Sequence, residues 1–233
     1  MKEAAKTKRI RSEDFYRTYM SGSVLDIGSG GGDGAAEDLC VPHAVPFDKA
    51  QGDANRILEY LKLGSFDCVH SSHCLEHMHD PKKAIADWWQ LVRPGGYLVT
   101  IVPDEDLYEQ GNWPSFFNYD HKSTFRLGGD VSWSPVSHEV RGLIAALPGA
   151  EIVFARREDE GYVHGTPRFH PRHKRFLARI FRNVQRIAYM LSLKGTFADR
   201  AIARTAIFLG VPYDQSAGDA LSQIEVVARK KQQ

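Results

Sequence analysis

Short apolar runs bounded by glycine or charged residues recur along the first half of the chain. The clearest run, Val24–Ile27, lies between Gly22 and Gly28, a pattern typical of a buried strand. Similar runs occur three more times, although Pro46 suits the end of a strand better than its centre. The pattern predicts strands at residues 24–27, 44–47, 66–70 and 97–102.

A helical pattern separates the last two of these runs. Apolar residues recur at helical spacing within 81–92, where Pro81 stands at the start and Pro94 follows the end. Strands that alternate with helices favour a parallel sheet covered by helices on both faces. The same signals predict a helix at 137–147 and strands at 151–157 and 224–229.

Two long segments interrupt this alternation. Residues 104–133 are rich in aromatic side chains, which argues against disorder, and residues 161–219 contain a strongly basic helical pattern. We expect both to be insertions into a single domain that spans residues 1–233. The first insertion then forms either a substrate pocket or a lid that only packs on the sheet.

Composition narrows the class of protein. The 233 residues are 42% hydrophobic and 25% charged, and no apolar run is long enough to span a bilayer. The charged N-terminus lacks the apolar core of a signal peptide, and three cysteines are too few for a disulfide framework, so we expect a cytoplasmic protein.

Net charge is unevenly distributed along the chain. The total is +1, but residues 168–204 carry ten Lys and Arg against one Asp, a balance of +9, and residues 205–233 cancel. Residues 1–167 therefore carry −8. This distribution argues against a nucleic-acid partner for the whole surface, yet it allows an anionic partner at one face.

A glycine-rich turn follows the first predicted strand, from Gly28 to Gly34, and precedes a predicted helix. Such a turn brings backbone amides close to a ligand. It does not fit a dinucleotide fingerprint, whose third glycine would fall on Asp33, and no Lys-Ser or Lys-Thr pair follows as in a phosphate-binding loop. Because Asp26 would repel a pyrophosphate, a cofactor without phosphate suits the turn better.

Five segments in order resemble class I S-adenosylmethionine-dependent methyltransferases, within residues 20–103. They are the first-motif sequence VLDIGSGGG at 24–32, Phe47-Asp48, Gly52-Asp53-Ala54, the segment 65–77 with its Leu-Glu-His ending, and the Pro-Gly-Gly turn within 91–98. The resemblance is to members that methylate small molecules. It implies a Rossmann-like, mostly parallel sheet of seven strands sandwiched by helices, with an antiparallel last strand. The insertions then follow strand 5 and separate strands 6 and 7.

The resemblance also implies S-adenosylmethionine as the cofactor. In this family a carboxylate at the position of Asp48 holds the ribose hydroxyls, and the segment around Asp53 reads the adenine. Two hydroxyls on one ribose can donate to one carboxylate, a charge-assisted pairing. The predicted cofactor-binding residues are Asp26, Gly28, Ser29, Gly30, Asp48, Asp53, Ala54, Ser71, His73 and His77.

Four histidines lie within residues 70–79, which raises the alternative of a metal site. A His-x-x-x-His spacing carries weight only on one helical face near a third ligand, and this stretch runs from a strand into a loop. We therefore predict no metal, and expect His73 and His77 to cap a helix or pack on the cofactor.

For a hydroxyl acceptor, a general base would contribute roughly 10²–10⁴-fold to the rate. His121 is the best candidate because an unperturbed histidine has a pKa near ~6.5, and the adjacent Asp120 is its possible orienter or substitute. The alternative is that both residues only order the loop. The aromatic side chains that would line an acceptor pocket are Trp113, Phe116, Phe117 and Tyr119.

These observations predict methyl transfer to a small molecule. Residues Val102–Phe125 also resemble methyltransferases of bacterial polysaccharide gene clusters, and this resemblance implies O-methylation of a sugar or glycan precursor in polysaccharide biosynthesis as the preferred reaction. The alternatives are a non-catalytic binding or assembly protein with the same fold, and a methyltransferase that acts on protein or nucleic acid. The absence of an Asn/Asp-Pro-Pro-Tyr/Phe motif at Ser71-Ser72-His73-Cys74 counts against base methylation.

The basic helix at 174–193 has two stripes. An apolar stripe predicts burial against the core or a second subunit, as in a homo-oligomer, and arginines run along another stripe. The alternative is peripheral contact with an anionic membrane.

Overall fold

A central sheet organises the protein in the computed structural model, which describes residues 2–30, 39–165, 174–193 and 196–232. The strands, in chain order, are β1 Val24–Ile27, β2 Val45–Phe47, β3 Phe66–Ser72, β4 Val92–Pro103, β5 Thr124–Arg126, β6 Ser137–Glu139, β7 Ala150–Glu158 and β8 Gln223–Lys230. The helices are α1 Lys2–Ile10, α2 Glu13–Tyr19, α3 Pro81–Leu91, α4 Val140–Ala145, α5 Lys174–Met190 and α6 Phe197–Phe208.

The main sheet has the order β2-β1-β3-β4-β8-β7. Strands β1 to β4 run parallel, whereas β8 pairs antiparallel with both β4 and β7. The predicted Rossmann-like, mostly parallel sheet with an antiparallel last strand is confirmed. The register places Asp26 of β1 beside His70 of β3, which matters for the site.

The described part of the chain forms six strands in this sheet, so the predicted count of seven is wrong. Residues 48–65, between β2 and β3, contain a 3-10 helix, Ala54–Glu59, and no strand. A right-handed crossover through a helix to another parallel strand needs a dozen residues or more on each side of that strand. This segment is too short for two such connections.

The expected helix at 137–147 is divided. Residues 137–139 form β6, which pairs with β5 in a small parallel ribbon, and α4 begins after Glu139, whose side chain accepts from Gly142 N. The helix predicted after the glycine-rich turn falls on residues 31–38, outside the described residues.

Both faces of the sheet are covered. On one face α3 buries Ile85 and Trp88 completely against the sheet, and on the other α2 packs Phe15 against a cluster that includes Val99. Burial of such side chains contributes about 1.5–3 kcal/mol each. Trp88 also donates through Nε1 to Ala54 O at 3.0 Å, which fixes the 3-10 helix beside the end of β2.

The two insertions pack on each other. Phe116 of the first is buried with Ala178 of α5 and Ala203 of α6, and the guanidinium of Arg182 lies 5.6 Å from the centre of its ring. Phe116 therefore packs on the helical pair, and the aromatic insertion acts at this point as packing surface.

Within the described residues only part of the apolar stripe of α5 is buried, and burial of the rest against a second subunit stays a prediction. The helix buries the neighbouring face, with Ala178, Gln185 and Ala188, because small side chains allow close approach of α6. The larger side chains of the stripe, such as Ile180 and Ile187, are exposed. Among helices in the described part of the chain, none has the length and apolar composition that crossing a bilayer requires.

Candidate functional site

A cleft of about 680 Å³ opens at the carboxyl ends of β1, β2 and β3. This size is in the range of small-molecule sites, and the carboxyl edge of a parallel sheet is where ligands bind in open α/β folds. Predicted cofactor residues that line it are Gly28, Asp48, Asp53, Ala54, His73 and His77.

Gly28 makes the sharp turn out of β1. Its φ is +76°, its amide donates to Phe47 O at 2.8 Å, and a Cβ at this position would lie 2.9 Å from Cys74 Sγ. Only glycine combines this left-handed backbone with so close an approach to the loop after β3. Gly28, where the glycine-rich turn begins, therefore lies directly against the floor of the cleft.

Asp48, at the end of β2, holds that turn in place. One carboxylate oxygen accepts from Gly30 N at 2.7 Å and the other from Lys49 N at 2.7 Å. The carboxylate thus stands in the cleft wall, fixed by backbone amides, at the position where the sequence predicted a ribose-binding group.

Asp53 caps the 3-10 helix that follows. It accepts from Asn55 N at 2.9 Å and from Asn55 Nδ2 at 2.8 Å, and these hydrogen bonds hold the pKa of Asp53 below its usual range. Asp53 and Ala54 both line the cleft. This side of the cleft is shaped by the short 3-10 helix, which Asp53 caps.

Asp26 lies below the cleft and does not line it. Its oxygens accept from Cys40 N at 2.7 Å and lie 2.7 Å from His70 Nδ1. Burial opposes ionisation, but the His70 ring and the Cys40 amide outweigh it and lower the pKa of Asp26. Asp26 therefore ties β1 to His70 of β3 and to Cys40.

Ser29 and Ser71 are buried at this edge of the sheet. Neither hydroxyl has a hydrogen-bond partner among the described residues. A buried hydroxyl without a partner costs about 1–3 kcal/mol. Neither residue lines the cleft, and their contact with the cofactor stays a prediction.

His73 and His77 do not cap a helix. The short 3-10 helix Leu75–His77 has Cys74 at its N-cap without a side-chain hydrogen bond, and α3 is capped by Asp80. His73, at φ +51°, lies 3.0 Å through Nε2 from Gln223 Oε1, and His77 Nδ1 lies 3.1 Å from Asp120 Oδ2.

His121 is buried behind the cleft wall, and its orienting carboxylate is Glu109. Nδ1 lies 2.7 Å from Glu109 Oε1, within a π-helical turn at Glu105–Glu109 that the sequence did not suggest. Asp120 is exposed, pairs with His77 and Lys122, and has its pKa lowered chiefly by the Lys122 hydrogen bond. The predicted pairing of Asp120 with His121 is therefore not found.

Glu76 is the buried centre of this group. Its carboxylate lies 3.6 Å from His73 Nδ1 and 3.9 Å from His77 Nε2. Burial raises its pKa, but His73 and then His121 and His77 hold the pKa below the usual range. The Leu-Glu-His ending in the sequence pointed to this residue. No local pattern predicted that Glu76 lies near His121.

A buried polar network reaches the site from β8. Gln223 donates to Thr7 Oγ1 and Glu158 Oε2, and Arg11 bridges Glu225 Oε1 at 2.5–3.0 Å to His70 Nε2 at 3.5 Å. These residues were missed because their partners lie as far as 216 positions away in the chain.

None of the aromatic residues predicted to line an acceptor pocket lines the cleft. Tyr119 is exposed, and Phe117 packs edge-on against Tyr108, whose ring centre is 5.1 Å from that of His121. The insertion reaches the cleft through Asp120 and Lys122 instead.

Comparison with known proteins agrees with this geometry. The methyltransferase-domain family matches residues 6–128, which is more than half of the chain. An uncharacterised 37.1 kDa protein of a Streptomyces fradiae transposon is 44% identical over 46 residues, which are 20% of this chain and 13% of that protein.

Two solved structures share the fold. A Bacillus halodurans protein assigned as a methyltransferase is 14% identical, with 99% of this chain and 100% of that chain covered and a TM-score of 0.50. An S-adenosylmethionine-dependent methyltransferase from Archaeoglobus fulgidus is 16% identical, with 99% and 95% covered and a TM-score of 0.50. The chain therefore belongs to the methyltransferase-domain family of class I enzymes, whose cofactor is S-adenosylmethionine.

Proposed function

We propose that this protein transfers a methyl group from S-adenosylmethionine to a hydroxyl group of a small molecule. The observation that carries the proposal is the position of Asp48. Its carboxylate, fixed by Gly30 N, stands in the same cleft as His77 and Asp120. One cleft thus combines the carboxylate proposed to bind the cofactor with titratable groups that could act on an acceptor.

The residues present fit the cofactor. Asp48 would accept from the ribose hydroxyls, and Ser29 and Ser71 offer buried hydroxyls without partners among the described residues. The bound cofactor supplies a methyl group already activated on a sulfonium, so the chain has to orient the acceptor and exclude water.

His121 is the proposed general base. Because Glu109 holds Nδ1, the Nε2 atom is left to take the acceptor proton. His121 would take that proton as the acceptor oxygen is methylated, and the bound cofactor would supply the methyl group and leave in its demethylated form. Glu109 is then a positioning residue.

A phosphorylated or nucleotide-linked sugar is the proposed acceptor, which would place the reaction in glycan or polysaccharide synthesis. Lys49 and Lys122 line the cleft on the side of Asp120. Two ammonium groups beside a carboxylate suit a ligand that carries both phosphate and sugar hydroxyls. A cytoplasmic location, where nucleotide sugars are made, is part of this proposal.

A screen with methyl-labelled S-adenosylmethionine tests the reaction. Nucleotide sugars, free sugars and extracted glycans are compared with a protein lysate and with DNA and RNA. We expect label in the sugar fraction. Label only in protein or nucleic acid would replace the proposed acceptor, and no transfer to any fraction despite tight cofactor binding would support the binding-protein alternative.

The exposed face of α5 and α6 is proposed to contact an anionic membrane. Large apolar side chains are exposed here, among them Met190 at 84% and Phe208 at 88%, and Arg179 and Arg186 are exposed on α5. Apolar side chains bordered by arginines are the pattern of a helix lying in an anionic bilayer surface. A second copy of the chain is the alternative occupant.

A further inference from the structure

The carboxylate of Glu76 is buried inside the protein. Only 1% of the residue is exposed, and neither oxygen accepts a hydrogen bond from the described residues. The nearest ring nitrogens belong to His73 at 3.6 Å and His77 at 3.9 Å. Burying a carboxylate in this way is costly unless a cation completes its environment.

Two histidines near Glu76 are each held by a second carboxylate. His121 Nδ1 lies 2.7 Å from Glu109 Oε1, and His77 Nδ1 lies 3.1 Å from Asp120 Oδ2. Both pairings leave Nε2 as the available nitrogen. The centres of the His77 and His121 rings are 5.0 Å apart, so the two rings are in contact.

We propose that Glu76, His77 and His121 form a binding site for a divalent transition metal such as zinc or iron. One ligand atom from each residue lies within 4.8 Å of the others. Two imidazoles and one carboxylate are a donor set suited to these metals, with positions left open for another ligand. Carboxylates that hold the far nitrogen of metal-binding histidines are the usual outer partners.

The distances require only a small adjustment. Ligand atoms about 2.1 Å from a common ion lie about 3.4 Å apart in tetrahedral geometry. Side-chain rotations that move the ligand atoms by about 1 Å would therefore bring all three within bonding distance of one ion.

The other group of this kind in the described residues, Asp26, Cys40 and His70, is a weaker candidate. Both Asp26 oxygens are already engaged by the Cys40 amide and the His70 ring. Metal binding needs the thiolate. Burial and the Asp26 charge raise the pKa of Cys40 far above its usual range, so that thiol stays protonated.

The sequence predicted no metal because residues 70–79 run from a strand into a loop, where His-x-x-x-His spacing carries little weight, and because the family resemblance already accounted for Glu76 and His77. The structure adds His121, from the insertion, as a further donor. Since His77 and Asp120 line the cleft, an ion here would polarise an acceptor hydroxyl directly, a consequence that rests on the proposed function. His121 would then act as a ligand and the ion would replace it as activator.

Metal titration of the full chain tests the site. After chelator treatment, Zn²⁺ binding is measured by calorimetry, and Co²⁺ binding by visible absorption. We expect one equivalent in the wild type, at least a 100-fold loss of affinity in Glu76→Gln and His121→Ala, and a loss of about 10–100-fold in Glu109→Gln. His79→Ala, which changes a histidine close in the chain that is not one of the three ligands, is expected to bind as the wild type does.

Absence of stoichiometric Zn²⁺ and Co²⁺ binding in the wild type would overturn the proposal, as would equal binding by the wild type and Glu76→Gln. Circular dichroism and binding of S-adenosylhomocysteine establish that each variant is folded. If the wild type binds metal but not S-adenosylhomocysteine, the proposed function fails while the metal site stands.

Discussion

The Nδ1 atom of His121 lies 2.7 Å from the carboxylate of Glu109, although Asp120 is its neighbour in the chain. The hydrogen bond crosses from the π-helical turn at Glu105–Glu109 to the loop before β5. It leaves the opposite ring nitrogen toward Glu76 and His77. The chemistry proposed for this wall of the cleft depends on that orientation.

Replacement of His121 by alanine is expected to leave cofactor binding intact and to lower turnover at least ten-fold, because His121 lies behind the wall that Asp48 faces. Calorimetry with S-adenosylhomocysteine and a methyl-transfer assay measure the two effects. His43→Ala, an exposed histidine outside the cleft, is the control. Wild-type turnover in His121→Ala would remove His121 from the mechanism, both as a base and as a ligand.

Glu109→Gln and Asp120→Asn are expected to differ. The buried Glu109 fixes the ring of His121, whereas the exposed Asp120 contacts His77 and Lys122. Loss of the Glu109 charge should lower kcat about ten-fold or more with little change in cofactor affinity. The Asp120 variant should retain more of kcat. The reverse ranking would restore Asp120 as the orienting residue that the sequence suggested.

Asp26→Asn is expected to destabilise the protein by about 1–3 kcal/mol at pH 7, because the buried charge bonds to His70 and to Cys40 N. The pKa of Asp26 is lowered in the folded state. Its contribution is therefore complete above the unfolded value near ~3.9 and is lost as pH falls through the lower folded value.

Thermal melts of the wild type and Asp26→Asn between pH 3 and pH 7 measure this contribution. The difference in Tm should be greatest near neutrality and shrink toward pH 3. A difference that stays constant or grows on acidification would contradict the assigned role of the Asp26 charge.

The strands that build the cleft were predictable because their signals are local. VLDI at β1 is a buried apolar run, and Gly28 follows it where a Cβ would collide with Cys74. The position of Asp48 at the edge of the sheet could be predicted because it directly follows the next strand, β2. The sequence pattern could not show that the described residues lack a seventh strand. The connection between β2 and β3 is short, and its sequence also fits a loop.

The contacts around His121 were not predictable for a different reason. Glu76, Glu109 and His121 come from separate segments whose meeting depends on how the insertion packs on the sheet. The apolar stripe of α5 is only partly covered within the chain, because helix–helix approach favours Ala178 and Ala188 over larger apolar side chains. Periodicity shows that a helix has an apolar stripe but does not show what covers it.

Paired substitution of Arg179 and Arg186 by glutamine is expected to weaken binding to anionic vesicles. Each arginine near such a surface contributes about 1 kcal/mol, so the double variant should lose roughly 25-fold. Co-sedimentation with phosphatidylglycerol vesicles at low and high salt measures the effect, and zwitterionic vesicles serve as the control.

Wild-type protein that fails to sediment at either salt concentration would reject the membrane contact. Size-exclusion chromatography with light scattering tests the alternative, that a second copy of the chain covers this face. A dimer of the wild type that dissociates in Ile187→Asp would assign the surface to a second copy of the chain.

Calorimetric titration of the wild type and Asp48→Asn with S-adenosylmethionine and S-adenosylhomocysteine tests the central claim most directly. The wild type should bind one equivalent of each. Asp48→Asn should bind about 10–100-fold more weakly, because the ribose hydroxyls lose a charged acceptor worth about 1.5–3 kcal/mol. The absence of binding of either compound by the folded wild type, or equal affinity in Asp48→Asn, would contradict the account.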